Sequence, residues 1–393
     1  MLYCSDINKG VYSIYDTEDR TYSPMSKQEV LKLNKQCRVI GVVGPFIKKV
    51  DPLKVILSWQ RKNKLEEKWE MLKLQEPNLT FNSFTDFSDD WDIEIHENSI
   101  ICYKYTGNEI NVTVPNFVNA VRFKDCKSIE TIILPDNIKY ITKYSFQNCV
   151  SLESIRLPRH LKIIAGGAFF NCQSLKEIVI PNGVLELGEE CFKLCKSLES
   201  IELPDSILEI GKECFSCCEN LKSVKLPNNI EILDDGCFNG CKSLQYITIP
   251  LRVSSLGKST FKNCKSLTTL NLSDSIKVLD DFCFDNCIKL NELKLPNKLK
   301  LIGNSCFNNC YSLKDIDMKT ADSDFQIYGN CFDGCESLES ISFPNKILNI
   351  HDIFYFYNCN NLKVININKQ MYDRFRSSFD DWCKDKVKYY DVL

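Results

Sequence analysis

The chain has 393 residues, 44% of them hydrophobic and 26% charged, and 49 basic residues stand against 52 acidic ones for a formal charge of -3. A near-neutral chain of this kind lacks the global basic field of a nucleic-acid or anionic-membrane binder, and it is too hydrophobic to remain disordered. No stretch reaches the ~18 uninterrupted apolar residues of a membrane helix, and the opening MLYCSDINKG shows no basic segment followed by an apolar one, so cytoplasmic residence is the expectation from the first residues.

Residues 1–98 do not repeat and are expected to form a small N-terminal α/β unit of no recognised family. Val11 to Tyr15 alternates in polarity and passes through Asp-Thr-Glu-Asp into Thr21-Tyr22, the pattern of a hairpin. Ser26 with Glu29 makes a capping box ahead of Val30, Leu31 and Leu33, which predicts a helix. Val39 to Val43 reads as a buried strand closed by Gly44-Pro45. Leu53 to Leu74 reads as a longer helix with Ile56, Trp59, Leu65, Trp69 and Leu72 on its apolar side and Pro77 beyond its end. Residues 99–120 are expected to form a capping coil, because Val112, Val114 and Pro115 echo the repeat that follows.

Self-similarity dominates the rest. A Phe-x-x-Cys unit recurs at a step of 23 residues from Phe123/Cys126 to Phe307/Cys310, and two further copies, Phe332/Cys335 and Phe356/Cys359, follow at steps of 25 and 24. Such a period marks a solenoid, in which each coil buries its apolar side against its neighbours. Counting from each Cys, the third residue is almost always Leu, the sixth Ile or a relative, the eighth usually Leu or Ile, and the ninth usually Pro, as in Leu198, Ile201, Leu203 and Pro204. That segment alternates at period two and ends on a residue that cannot donate to a ladder, so it reads as a short strand. Apolar residues return at the twelfth and fifteenth positions, as at Ile207 and Ile210, before the next Phe-x-x-Cys turn. Where the step lengthens to 25, the extra residues are expected to bulge outward near Lys319 to Ser323.

This pattern resembles the BspA-like, treponemal type of leucine-rich repeat, with its Leu-x-x-Ile-x-Leu-Pro strand and Ile-Gly-x-x-Ala-Phe-x-x-Cys turn, over residues 121–367. The resemblance implies an α/β solenoid, a right-handed leucine-rich-repeat superhelix with a parallel sheet on one face. It also implies protein binding, cell adhesion or a surface antigen rather than catalysis, and so allows a cell-surface location. The position after the strand-ending Pro and one further residue holds Asn137 and Asn229 but also His160, Gly183, Ser206 and Arg252, so no Asn ladder is expected there. Residues 368–393 are expected to cover the last coil as a helical cap, with Tyr372, Phe375, Phe379 and Trp382 at helical spacing, and this tail again resembles BspA-like proteins.

Of the 22 cysteines, 17 belong to the repeat, either in Phe-x-x-Cys or immediately before the Phe. Free Cys behaves as a small buried hydrophobe, and identical positions of a solenoid make rows rather than the tetrahedral cages a metal needs. The repeat thiols are therefore expected to be buried, and a Ser in place of Cys195 or Cys218 to bury a hydroxyl without a partner. Three histidines, His96, His160 and His351, lie far apart, and Gly41-Val42-Val43-Gly44 lacks the Lys-Ser/Thr of a phosphate-binding loop. No catalytic residue, metal or cofactor is expected.

The fifth and seventh residues after each Cys point outward from the strand and vary in size and charge, whereas the inward ones barely change. A scaffold is thereby separated from a readout surface. Within the strip, Tyr246 is the aromatic member, Thr248, Thr269 and Asn271 offer hydrogen bonds, and Glu292, Lys294, Asp315 and Asp317 make a net negative end. Because Tyr is favoured in interface hot spots, these eight residues are the candidate ligand-binding set. The expected function is a monomeric, non-catalytic module that binds a protein partner and neither nucleic acid nor, through a span, the membrane. The competing expectation is an enzyme with its chemistry in residues 1–98 and repeats that recruit substrate.

Overall fold

The computed structural model describes the strands Leu2–Ser5, Tyr12–Asp16, Thr21–Met25, Trp91–His96 and Ser99–Tyr105, and then residues 109–390 apart from 117, 322–324, 352–355 and 380. The chain divides into two units, Met1–Ser83 and Phe84–Leu393. In the first, the expected hairpin is present: Tyr12–Asp16 runs antiparallel to Thr21–Met25 with Tyr15 opposite Tyr22, and Leu2–Ser5 pairs antiparallel on the other side. The helices expected after Ser26 and over Leu53 to Leu74, and the strand at Val39 to Val43, lie outside the described residues.

The second unit opens on an antiparallel pair, Trp91–His96 with Ser99–Tyr105, whose second strand pairs in parallel with Ala120–Val121. Asn111–Thr113 then pairs in parallel with Thr131–Ile133, placing Val112 beside Ile132. From there each coil adds two short strands. The first is the Leu-x-x-Ile-x-Leu segment, as where Ser200–Glu202 pairs with Ser223–Lys225. The second comes from the twelfth-to-fifteenth apolar pair, as where Glu186–Leu187 lies between Ile163–Ile164 and Glu209–Ile210. Pairing is parallel and in register because an unchanging 23-residue period sets each inward Ile or Leu over its equivalent.

The result is a parallel β-solenoid with two ladders. Among the described residues its coils return through turns and a second strand of two or three residues, and the expected α component is absent before Lys369. Punctuation explains this: between Pro204 and Gly211 six residues remain, too few for a stable helix flanked by breakers. Among the described residues no helix is long and apolar enough to cross a membrane.

The turns supply the core with its largest side chains. From Phe146 to Phe307 each ring stacks on the next at 5.2–5.6 Å with interplanar angles of 2–9°, and Phe332 and Phe356 continue the column at 5.7 and 6.1 Å. Rows of buried Leu, Ile and Cys flank it throughout. The longer steps leave this core in register. Leu301 pairs with Gln326, whereas the preceding strands are Val278 and Leu301, so the two extra residues fall between Asp317 and Gln326, in the interval where the bulge was expected.

The C-terminal segment covers the last coil by mixed means rather than as one helix. Asn368 caps a short helix, Lys369–Phe375, its Oδ1 accepting from the amides of Gln370 and Met371. Two 3-10 turns follow, and the last described strand, Val387–Tyr390, extends the first ladder by pairing in parallel with Val364–Asn368. Tyr372, Phe375, Phe379 and Cys383 are buried beneath it, and Trp382 stays 38% exposed.

Candidate functional site

The first ladder turns its central residue inward and its flanking residues outward: Ser200–Glu202, Thr269–Asn271 and Asp315–Asp317 are each exposed, buried, exposed. The period-two reading of the sequence is thus realised in side-chain direction. Tyr246 is 62% exposed, and Thr248 is exposed on the same strand edge. Thr269 and Asn271 stand beside Glu292 and Lys294 in register. Asp315 accepts a hydrogen bond from Ser340 Oγ at 2.6 Å, and Asp317 accepts the amide of Lys319 at 2.9 Å. All eight residues of the set therefore lie on the outer face, in consecutive coils. Ser342, the seventh residue after Cys335, is instead buried, its Oγ accepting at 3.1 Å from Nδ2 of Asn366, its partner on the next strand.

Charge is arranged unevenly along this face. At the position just before each strand, alternating signs pair between adjacent coils: Glu153 with Lys176 at 2.8 Å, Glu199 with Lys222 at 2.7 Å, and Glu339 with Lys363 at 2.7 Å. The same row reads Gln245, Thr268 and Asn291 through the middle coils, where no such pair can form. On the outer face itself, Lys225 lies 3.6 Å from Glu202 and Arg156 3.8 Å from Asp136. By contrast Glu292, Lys294, Asp315 and Asp317 make no ion pair among the described residues. The stretch from Glu292 to Asp317 is thus a run of four charges without ion pairs among those residues, between the Glu202–Lys225 pair on one side and the Glu339–Lys363 pair on the other.

At the other end of the face the outward positions Val179 and Ile133 are 81% and 40% exposed. One feature escaped sequence reading: an Asn ladder, located not after the Pro but immediately before the Cys. Asn148, Asn171, Asn263, Asn286, Asn309 and Asn358 there have φ of 57–62°, a left-handed conformation that Asn tolerates better than most residues. Their amides join neighbouring coils, as Asn171 Nδ2 to Asn148 Oδ1 at 2.9 Å and Asn286 Nδ2 to Asn263 Oδ1 at 2.7 Å.

The repeat thiols are buried as expected, but they are not merely apolar filler. In ten successive copies from Cys149 to Cys359 the thiol donates to the carbonyl of the preceding coil's Phe at 3.0–3.2 Å. A Ser at Cys195 or Cys218 would therefore meet an acceptor, which corrects the expectation of a stranded hydroxyl. In the row before the Phe, Ser145 and Thr260 already place hydroxyls, donating to the carbonyls of Thr142 at 2.9 Å and Gly257 at 2.7 Å. Burial pushes the thiol pKa upward along the Phe-x-x-Cys row, to about 12 at Cys359 and well above the ordinary range at Cys172 and Cys287. These groups stay protonated, as donors must, and are poor nucleophiles and poor metal ligands.

His160 and His351 lie in different coils, and His351 stacks on Tyr328 with ring centroids 4.2 Å apart. Among the described residues, no group of three or more His, Cys, Asp or Glu is placed to hold a metal ion.

The model of the BspA type leucine rich repeat region matches this chain over residues 116–245, 208–328 and 254–385. No curated protein matches it. Among solved structures, a leucine-rich repeat protein from Bacteroides ovatus is 25% identical, with 78% of this chain and 100% of that one covered and a TM-score of 0.41. The leucine rich repeat protein of T. pallidum is 33% identical over 46% of this chain and 89% of that one, with a TM-score of 0.44. A leucine rich cell surface protein from Faecalibacterium prausnitzii is 21% identical, covering 80% of this chain and 100% of that one, with a TM-score of 0.43.

Proposed function

As the chain belongs to the BspA-type leucine rich repeat family, we propose that it is a non-catalytic protein-binding module whose ligand docks on the outer face of the first ladder, from Tyr246 to Asp317. The observation that carries this reading is the contrast in charge. Glu153–Lys176, Glu199–Lys222 and Glu202–Lys225 pair between N-terminal coils, while the consecutive charges Glu292, Lys294, Asp315 and Asp317 are exposed and without ion-pair partners among the described residues. Exposed charge without a partner is inexpensive in water, and it supplies direction and on-rate when a complementary surface arrives.

Tyr246 supplies the anchor, a large rigid ring on a fixed strand. Thr248, Thr269 and Asn271 offer neutral hydrogen bonds beside it, and the net negative end selects a basic segment of the partner. The rigid Phe column beneath holds all of these in place before the ligand arrives, so little ordering entropy is lost on binding.

The test is selection of a displayed peptide library on the full chain, followed by affinity measurement. Lysine- and arginine-rich peptides should be enriched, and Tyr246→Ala combined with Asp315→Ala and Asp317→Ala should weaken them at least tenfold, about 1.4 kcal/mol, with an unchanged thermal midpoint. Equal affinity for the triple variant would move the site elsewhere.

A further inference from the structure

Where the last Phe-x-x-Cys turn meets the C-terminal segment there is a cavity of about 430 Å³, lined by Asp333, Tyr357, Asn358, Asn360 and Trp382 among others. Its size suits a small organic group. It lies on the turn edge of the solenoid, in the row that follows each Phe.

That row shows what a charged side chain ordinarily meets there. Lys193 sits between Glu190 at 2.5 Å and Glu213 at 2.6 Å, and Asp285 is paired with Lys262 at 2.9 Å. Asp333, two coils beyond Asp285, accepts the amide of Tyr357 at 3.2 Å and has no lysine or arginine within ion-pair distance among the described residues. Burial raises its carboxyl above the usual carboxylate range. The fold therefore holds a partly desolvated carboxylate whose charge no side chain offsets among the described residues, an arrangement that a bound cation would relieve.

The walls are of matching chemistry. Tyr357 is 68% and Trp382 38% exposed, and both rings line the one cavity. Aromatic faces attract ammonium groups, and Trp382 already does so, with Lys386 Nζ 4.8 Å from its ring centroid. Asn358 and Asn360 add neutral acceptors, while an anionic ligand would face Asp333.

We propose that this cavity binds an alkylammonium group, primary or methylated, with Asp333 as counter-charge and Tyr357 and Trp382 as aromatic walls. The site is independent of the sheet-face reading, since it uses none of the same residues.

The test is titration of the full chain with tetramethylammonium chloride and, separately, n-butylammonium chloride, with ionic strength held constant by sodium chloride and the Trp382 indole N–H resonance as readout. A saturable shift is expected with at least one cation. Asp333→Asn retains an acceptor for the Tyr357 amide and should weaken binding at least tenfold, as should Tyr357→Leu, which leaves the Trp382 probe in place. Glu219→Gln, which alters a surface carboxylate paired with Lys242, should not change it. Stronger binding of tetramethylammonium assigns methylated ligands, and stronger binding of n-butylammonium assigns primary amines such as lysine side chains. No saturable shift with either cation, or equal affinity in a folded Asp333→Asn chain with an unchanged thermal midpoint, overturns the proposal.

Discussion

The thiol of Cys195 donates to the carbonyl oxygen of Phe169, 3.2 Å away and one coil earlier, and the same oxygen accepts the amide of Cys172 at 3.2 Å. The two ends of Phe-x-x-Cys are thus joined twice, once within a coil and once between coils. A motif that reads as a hydrophobic punctuation mark is also the site where adjacent turns are hydrogen-bonded.

The two cysteine rows should respond differently to substitution. Cys191→Thr places a hydroxyl where Thr260 already carries one in an equivalent coil and should cost less than about 1 kcal/mol. Cys195→Ala removes both volume and the donor to Phe169, and should cost about 1–3 kcal/mol. Urea denaturation of the two variants checks this, and equal losses would mean that the thiol bond contributes nothing.

Thiols held protonated by the fold make stability sensitive to alkali. Their folded pKa values lie above the ordinary value of 9.0, so their contribution is fully present below about pH 9 and declines as pH rises toward the folded values. Each such thiol lowers stability by about 1.4 kcal/mol per pH unit in that window. Denaturation midpoints should be flat across the neutral range and fall steeply above about pH 9, less steeply once Cys264 and Cys287 are replaced by Ala. A flat profile through that range would contradict buried, protonated thiols.

Leu194 occupies the position that Asn fills in most coils, with φ of 65°. A branched apolar residue is strained there by roughly 1–2 kcal/mol. Leu194→Asn should therefore raise stability by about 1 kcal/mol, read as a higher urea midpoint. A lower midpoint would show that packing of the Leu194 side chain outweighs the backbone strain.

On the second ladder Glu186 lies beside Glu209 in register. Burial first, and Glu209 second, raise its pKa to about 6 against the opposing pull of Lys143. A folded pKa above the usual 4.5 means that its contribution to stability is full at low pH and is lost as pH rises through about 6. After allowance for solvent screening, Glu186→Gln should gain about 1 kcal/mol over the parent at pH 8 and nothing at pH 4. An equal gain at both would remove the charge argument.

Much of this architecture was legible because a solenoid repeats its evidence. Eleven copies of Phe-x-x-Cys and the period-two strand fixed the inward and outward residues, and Tyr246 through Asp317 lie on the face assigned to them. Other features needed coordinates for identifiable reasons. Phe-x-Asn-Cys is present in the sequence at Asn148 and Asn171, but its meaning depends on a positive φ that composition does not display. The strand Val387–Tyr390, beyond the helically spaced Tyr372 to Trp382, forms by pairing with Val364–Asn368, a tertiary choice that local pattern does not display. The cavity at Asp333 likewise arises where two segments distant in sequence converge.

The central claim is that an invariant scaffold presents a replaceable readout face, and a charge reversal tests it most directly. Asp315→Lys combined with Asp317→Lys alters two exposed residues and leaves the buried Ile316 between them. Peptides selected on the parent and on this variant should differ in sign, basic for the parent and acidic for the variant, with affinities for the original set reduced at least tenfold and thermal midpoints alike. Selection of the same peptides by both chains at equal affinity would contradict the account.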